Sequence, residues 1–461
     1  MLRPAHVGLV PHLVTLALPL AGQSAWQQLQ DPGAAGWSVE HLQKARGLAE
    51  EIGSAAVMLS HGDHVVVAWG DVERRFRCHS VRKSLLSALY GIAGDKRLVE
   101  LDATLGKLGI DERTPLTATE KSARLADLLA ARSGIYLPAA KEPLDLKRER
   151  PERGSAAPGE RFHYNNWDFN VAGVAFEQQT GRTIFAAFDD WLAKPLGMQD
   201  WRLEDGRYEL EPGNSCHPAY DFRLSTRDLC RFGQLFAREG QVGDRQLVPK
   251  AWIEASTAVH STLDDGRSYG LMWWVFPPGS LASYPSLNAQ RAIAAIGTGG
   301  QVVLVIPAID FVLVHRGDTD HDRPVRGRDF WRLAELLLTA RPAAAPERQP
   351  ELQSLAARPL PNAEPAPPEH LAVPLEAAQI AALVGKYQVP SLGAIRLFEF
   401  EARLFVRLPD TTEAEVFASA DGGYFLHSAN ATMQFERDEN GSVVVAEITL
   451  DGRRMRAARV R

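Results

Sequence analysis

The stretch Cys78-His79-Ser80-Val81-Arg82-Lys83-Ser84-Leu85-Leu86 sets what the rest of the chain has to supply, because it puts a hydroxyl and an amine three residues apart where a helical pattern begins. Ser84, Leu85, Leu86, Ala88, Leu89, Ile92 and Ala93 recur at helical spacing, and Gly94 reads as the stop. Ser80 and Lys83 therefore stand one above the other on the first turn. In one reading Ser80 only caps the helix and Lys83 is solvated. In the other, burial and nearby positive charge leave Lys83 neutral, so that it takes the serine proton and makes the hydroxyl a nucleophile. The positive end of the helix dipole would favour both the neutral amine and an alkoxide. This is the one Ser-x-x-Lys in the chain.

The 461 residues, 45% hydrophobic and 23% charged, have room for one large domain and a small one. The formal net charge of -6, with no dense basic cluster among aromatics, argues against nucleic-acid binding. Val7 to Ala21 is apolar, follows Arg3 and leads into small residues, and so reads as an export signal within 1–25, placing the protein in the periplasm or outside the cell. Pro11, His12 and Pro19 make it a poor membrane span, and no other apolar run is long enough to cross a bilayer. Cys78, Cys216 and Cys230 form neither a disulfide framework nor a metal cluster, and no metal or cofactor is expected. Cys78, two residues before Ser80, is the alternative nucleophile.

Along the chain, Trp37 to Glu51 reads as an amphipathic helix, and 55–59 and 65–69 read as a hairpin through His61-Gly62-Asp63. Residues 141–160 are rich in charge and proline, a solvated excursion that near a cleft would serve as rim or lid. A helix follows Tyr164-Asn165-Asn166, and Ser225 to Asp228 opens another through Phe236. Tyr269 to Val275, 294–306 and 311–315 read as strands, and 330–338 as a last helix. Ala- and Pro-rich residues 341–370 read as a linker, and 371–461 as a small all-β domain. Strands near both ends of 37–340 with helices between predict an α+β fold, one sheet built from both ends and flanked by helices.

Two further segments offer partners for Ser80 and Lys83. A phenol beside them can relay the serine proton to a leaving group, and Tyr164 supplies one, with the Asn166 amide placed to hold a substrate carbonyl or orient Lys83. Taken by itself, Tyr164 is more simply explained as a buried ring bonded to a backbone carbonyl. Gly297-Thr298-Gly299-Gly300 gives a strand face almost free of side chains, where a main-chain N–H could pair with that of Ser80 as an oxyanion hole. A bulge or tight hairpin explains the same glycines.

In this order and context, the three segments resemble the serine β-lactamase-related hydrolases, which include class C β-lactamases, D-Ala-D-Ala carboxypeptidases and esterases. Leu128-Leu129-Ala130-Ala131-Arg132-Ser133-Gly134, Pro195-Leu196-Gly197-Met198 and Leu224 to Leu229 belong to the same likeness, which spans roughly 55–340. It implies a β-lactamase/transpeptidase-like antiparallel sheet with a mostly helical subdomain. It also implies Ser80 as acylated nucleophile, Lys83 as its activating amine and Tyr164 as general base. The family's third motif, Lys-Thr-Gly or His-x-Gly, is here Ala295-Ile296-Gly297, so its cation is missing unless Arg291 substitutes. That form is similar to the branch of esterases and 6-aminohexanoate-dimer hydrolases. His217 and Tyr220 resemble a cleft-lining segment of that branch, His217 as a substrate contact or as a satisfied structural histidine.

The expectation is a metal-free serine hydrolase cleaving an ester or amide of a small substrate through an acyl-enzyme. Ser80, Lys83 and Tyr164 would be catalytic, and Asn166, His217, Gly297 and Thr298 would bind substrate. The alternatives are a β-lactamase or D,D-peptidase and a non-catalytic module binding cell-wall fragments. Trp167 and Trp273 read as core.

Overall fold

The computed structural model describes residues 25–343, 349–361, 365, 370–409, 412–429, 431–450 and 452–460. The export-signal segment falls outside the described residues, apart from Ala25. Among them, no helix is long and apolar enough to cross a membrane.

A ten-stranded sheet organises the larger part of the chain. Its centre joins the two ends of the hydrolase-like region, because Ser54–His61 pairs antiparallel with Phe311–Gly317, with Leu59 opposite Leu313. Gln301–Ile306 and Ala292–Gly297 continue the sheet on one side and His64–Gly70 on the other. Val303 and Val305 face one apolar core while Val302, Leu304 and Ile306 face a second. Burial on both faces explains why these strands read as unbroken apolar runs. The helices Val39–Glu51 and Gly327–Thr339 cover the second face. The first face carries Val81–Asp95, Thr226–Ala237 and the mostly helical stretch between them.

Three readings are corrected by this arrangement. The nucleophile helix runs through Gly94 to Asp95, and its cap is Lys96, whose N–H bonds the Ile92 and Gly94 carbonyls. Tyr269 to Val275 is a hairpin rather than one strand: Ser268–Tyr269 pairs back on Trp274–Phe276, and Met272 turns the chain at φ 64°. The carbonyls of Leu271 and Met272 then accept the hydroxyls of Ser87 (2.8 Å) and Ser84 (2.7 Å), tying the turn to the nucleophile helix. Within 341–370, Leu352–Ser354 adds an edge strand to the main sheet against Gln27–Leu29.

After residue 371 the chain forms a separate all-β unit. Eight strands from Gly385–Val389 to Arg453–Val460 pair each with the next, and the last pairs with the first, closing an up-and-down antiparallel barrel. The helix Ala377–Leu383 contributes Ile380 and Leu383 to its core. The barrel sits against the strand that leads to Ser80, where Arg77 donates to the carbonyls of His427 (2.7 Å) and Ser428 (2.9 Å).

Leu89 is fully buried in the larger core. Leu89→Ala is expected to cost about 3 kcal/mol, read as a lower urea midpoint for the hydrolase region; an unchanged midpoint would contradict the packing of this helix.

Candidate active site

Ser80 occupies the N-cap position of the helix Val81–Asp95, yet its side chain makes no capping bond. Instead Lys83 Nζ donates to Ser80 Oγ at 2.9 Å. Lys83 is 2% exposed. Burial holds its amine well below the usual ammonium range, the charges of Arg82 and Lys141 add to this, and Asp221 works against it. A neutral amine beside a serine hydroxyl is the arrangement in which that hydroxyl can lose its proton. Arg82, also buried, is held by Asn170 Oδ1 (2.9 Å) and stacks over Tyr220, 4.2 Å from the ring centre.

Tyr164 comes from the turn before the helix Asn166–Thr180. Its ring lies 4.9 Å from Lys83 Nζ and packs on Phe169, Tyr269 and Trp274. Burial pushes the phenol up to about 12, while a hydrogen bond with the Ser80 side chain and the charge of Arg82 pull the other way. At neutral pH the phenol therefore carries its proton. The structure brings the Ser80 hydroxyl, the Lys83 amine and the Tyr164 ring together from two distant segments.

The third wall is the strand Ala292–Gly297. A Cβ on Gly297 would lie 3.1 Å from Ser80 N and 2.6 Å from the Cys78 carbonyl, so only glycine lets this strand approach the nucleophile. The ladder ends at the Gly297–Gln301 pair, and Thr298 follows in an exposed turn. Gln301 closes that turn from behind, donating to the Gly317 carbonyl (2.8 Å) and accepting from Arg316 Nε (2.6 Å). Arg316, fully buried, also donates to the carbonyls of Arg77 and Leu224, both at 2.9 Å. One guanidinium thus joins the glycine strand to the segment entering Ser80. On that segment His79 sits at φ 46°, a conformation that costs a non-glycine residue roughly 1–3 kcal/mol. Its ring bonds Thr319 Oγ1 at 2.8 Å, and burial pushes it down to about 3, uncharged.

The remaining named residues have other partners. The Asn166 amide donates to the Lys141 carbonyl. His217 Nε2 bonds the Asp111 carbonyl at 2.8 Å, and its ring meets Trp167 edge-on. Tyr220 packs under Arg82. Ala295 is buried, and Arg291 donates to the Thr257 carbonyl at 2.7 Å. Cys78 is fully buried, and burial pushes its thiol up to about 12, out of the thiolate range.

Among the described residues, Glu112, Cys216 and His217 bring ligand-type atoms within 4.8 Å of one another. The Glu112 carboxylate already accepts from Ser215 Oγ, Cys216 N, Arg113 N and Trp167 Nε1. The cluster is thus satisfied by its own hydrogen bonds. Three contributors gave no sequence signal. Lys141 and Arg316 are described above, and fully buried Asp168 accepts from Ser133 Oγ (2.5 Å) and fixes the Ser133-Gly134 turn.

The beta-lactamase family model matches residues 39–338. No curated protein matches the sequence. A penicillin-binding protein homolog from Caulobacter crescentus is similar in structure at 15% identity, over 66% of this chain and 99% of that one, with a TM-score of 0.50. The octameric penicillin-binding protein homologue from Pyrococcus abyssi is 15% identical over 91% of this chain and 99% of its own, TM-score 0.48. A beta-lactamase from Mycobacterium bovis is 20% identical over 62% and 93%, TM-score 0.45.

Burial of Lys83 has a cost in stability whose sign is fixed. Unfolded Lys83 keeps its proton up to about pH 10.4, whereas the folded chain releases it at lower pH. Between those values unfolding takes up a proton, so this group's contribution to stability rises with pH. Lys83→Met is therefore expected to raise the melting temperature at pH 7, by an amount that shrinks towards pH 10. A lower melting temperature at pH 7 would contradict a neutral buried amine.

Proposed function

Because the chain belongs to the beta-lactamase family, we propose that it is a serine hydrolase cleaving an ester or amide bond of a small substrate through an acyl-enzyme on Ser80. The observation that carries this reading is the 2.9 Å contact between Ser80 Oγ and the buried Lys83 amine. Lys83 takes the Ser80 proton as Oγ adds to the substrate carbonyl. The oxyanion is held by the N–H groups of Ser80 and Thr298, with Gly297 leaving the space for it. Tyr164, protonated at neutral pH, passes its proton to the leaving group and recovers one from the Lys83 ammonium. Water then attacks the acyl-enzyme and gives up a proton to the same pair, which returns it to Ser80 Oγ as the acyl C–O bond breaks and the acid leaves. In this scheme Lys83 is the base towards Ser80 and Tyr164 the acid towards the leaving group. Export is part of the proposal and rests on the apolar segment 7–21.

Two features favour esters and simple amides over β-lactams and D-Ala-D-Ala peptides. The strand beside Ser80 has Ala295 where a carboxylate-binding cation would stand, and Arg291 is engaged by Thr257. The intact Ser80–Lys83 contact speaks against a purely binding module.

Ser80→Ala is expected to abolish labelling by a fluorophosphonate and turnover of p-nitrophenyl esters, with circular dichroism unchanged; undiminished labelling would place the nucleophile elsewhere. Side by side, short-chain esters are expected to turn over at least about a hundredfold faster than nitrocefin or a D-Ala-D-Ala peptide, a difference of about 2.7 kcal/mol in the barrier. Faster nitrocefin hydrolysis would favour the β-lactamase alternative.

A further inference from the structure

The oxyanion hole of the proposed reaction takes its two N–H groups from distant segments, one ending at Ser80 and one at Thr298. Its strength depends on both donors being fixed before charge develops between them. Neither segment is regular at that point. Ser80 follows His79, which lies at φ 46°, and Thr298 is followed by Gly299 at φ 77° and Gly300 at φ 86°. A left-handed residue such as His79 persists where its surroundings over-determine it. Each half of the hole therefore needs a brace.

Thr319 touches both halves. Its Oγ1 lies 2.8 Å from His79 Nε2. Its methyl carbon Cγ2 packs on the glycine turn, where a Cβ added to Gly299 would stand 2.2 Å from it. The same turn is held from behind, since the Gly299 carbonyl accepts from Val325 N at 3.1 Å. One side chain thus meets the residue before Ser80 and the residue after Thr298. Arg316 joins the same two segments further back, at Arg77 and Gln301, whereas Thr319 acts next to the donors.

The position of Thr319 is itself fixed. It begins the single helical turn Thr319–His321, between Asp318 and Asp320, each 5% exposed. Asp318 pairs with Arg74 at 2.8 Å, and Asp320 with Arg223 at 2.5 Å and Arg77 at 3.3 Å. Arg74 and Arg77 belong to the chain that leads into His79, and Arg223 to the strand Ala219–Leu224 paired with it. The turn bearing Thr319 is therefore tied to the same segment that its hydroxyl reaches.

We propose that Thr319 is a positioning residue of this site: with its hydroxyl on His79 and its methyl on Gly299, it holds the Ser80 and Thr298 N–H groups in register as one oxyanion hole. The proposal rests on the hydrolase reading above and deepens it. Thr319 touches no reacting atom and acts through its two neighbours.

Substitution separates the two contacts. T319V keeps the shape and the methyl but loses the hydroxyl, T319S keeps the hydroxyl alone, and T319A loses both. H79N removes the ring while asparagine tolerates the left-handed backbone. The experiment uses the full chain and measures kcat/KM for p-nitrophenyl butyrate together with inhibition by two ketones of one carbon skeleton. The carbonyl of the trifluoromethyl ketone takes Ser80 Oγ, its oxygen becoming an anion in the hole as the serine proton passes to Lys83. The methyl ketone adds far less readily and reports binding of the uncharged carbonyl.

T319V and H79N are each expected to lose about tenfold in kcat/KM and to weaken the trifluoromethyl ketone by the same factor, with the methyl ketone within about twofold of wild type. T319S is expected to lose about threefold, and T319A to fall about threefold below T319V. The double variant T319V/H79N is no worse than the poorer single variant, because both break one contact. Circular dichroism checks each fold, and H79N carries the test if T319V does not fold. Equal weakening of both ketones, T319S as poor as T319V, T319A no poorer than T319V, or additive losses in the double variant would overturn the proposal. Failure of the hydrolase reading shows separately, as turnover retained by S80A, or as a wild-type chain that neither turns over the ester nor is labelled by a fluorophosphonate, and would remove the hole along with its brace.

Discussion

A lysine amine buried at 2% exposure against a serine hydroxyl is the contact on which the rest of this structure depends. In water the amine would be an ammonium and the hydroxyl inert. Removing water reverses the first condition and so relieves the second, and the charges of Arg82 and Lys141 push the same way, against that of Asp221. The same burial works against folding, since the unfolded chain would protonate Lys83 at neutral pH. The helix that carries the pair has to be held by its packing, and its core positions Leu85, Leu86, Leu89 and Tyr90 are all fully buried.

Around that contact the fold supplies walls of different kinds. The glycine strand contributes shape, since any side chain at Gly297 would strike the Cys78 carbonyl. The aromatic group of Tyr164, Phe169, Tyr269 and Trp274 contributes a dry face beside the amine. Behind both, Arg316 ties the entry to Ser80 and the turn after Gly297 into one unit. The barrel reaches the same entry through Arg77. The segment entering the nucleophile is thus gripped by the sheet on one side and the C-terminal unit on the other.

What could be read from the sequence was local. Ser80 and Lys83 share one helical turn, and the apolar runs 55–59, 65–69, 294–306 and 311–315 read as strands. The closed barrel appears in the sequence as alternating segments after residue 371, though its closure depends on a pairing between Gly385–Val389 and Arg453–Val460 that no local pattern carries. Tyr269 to Val275 reads as one strand because its residues are apolar, while the turn depends on the positive φ of Met272. Leu352–Ser354 is an exposed edge strand, with no apolar alternation to betray it. Lys141 was hidden for the opposite reason: it stands at the head of a charged, proline-rich stretch, and only the fold brings Asn166, Glu209 and Asp221 onto it. The Asn166 side chain illustrates the limit of motif reading, since spacing places it near the site but not the carbonyl it binds.

The central claim is that Lys83 is an uncharged amine at neutral pH while it touches Ser80. Its most direct test is an NMR titration of the full chain with 13Cε-labelled lysine, the Lys83 resonance being assigned by its loss in Lys83→Met. The account predicts one Cε resonance that titrates far below those of the surface lysines and already has the chemical shift of a neutral amine at pH 7.5. A Lys83 resonance that titrates with the surface lysines would contradict it.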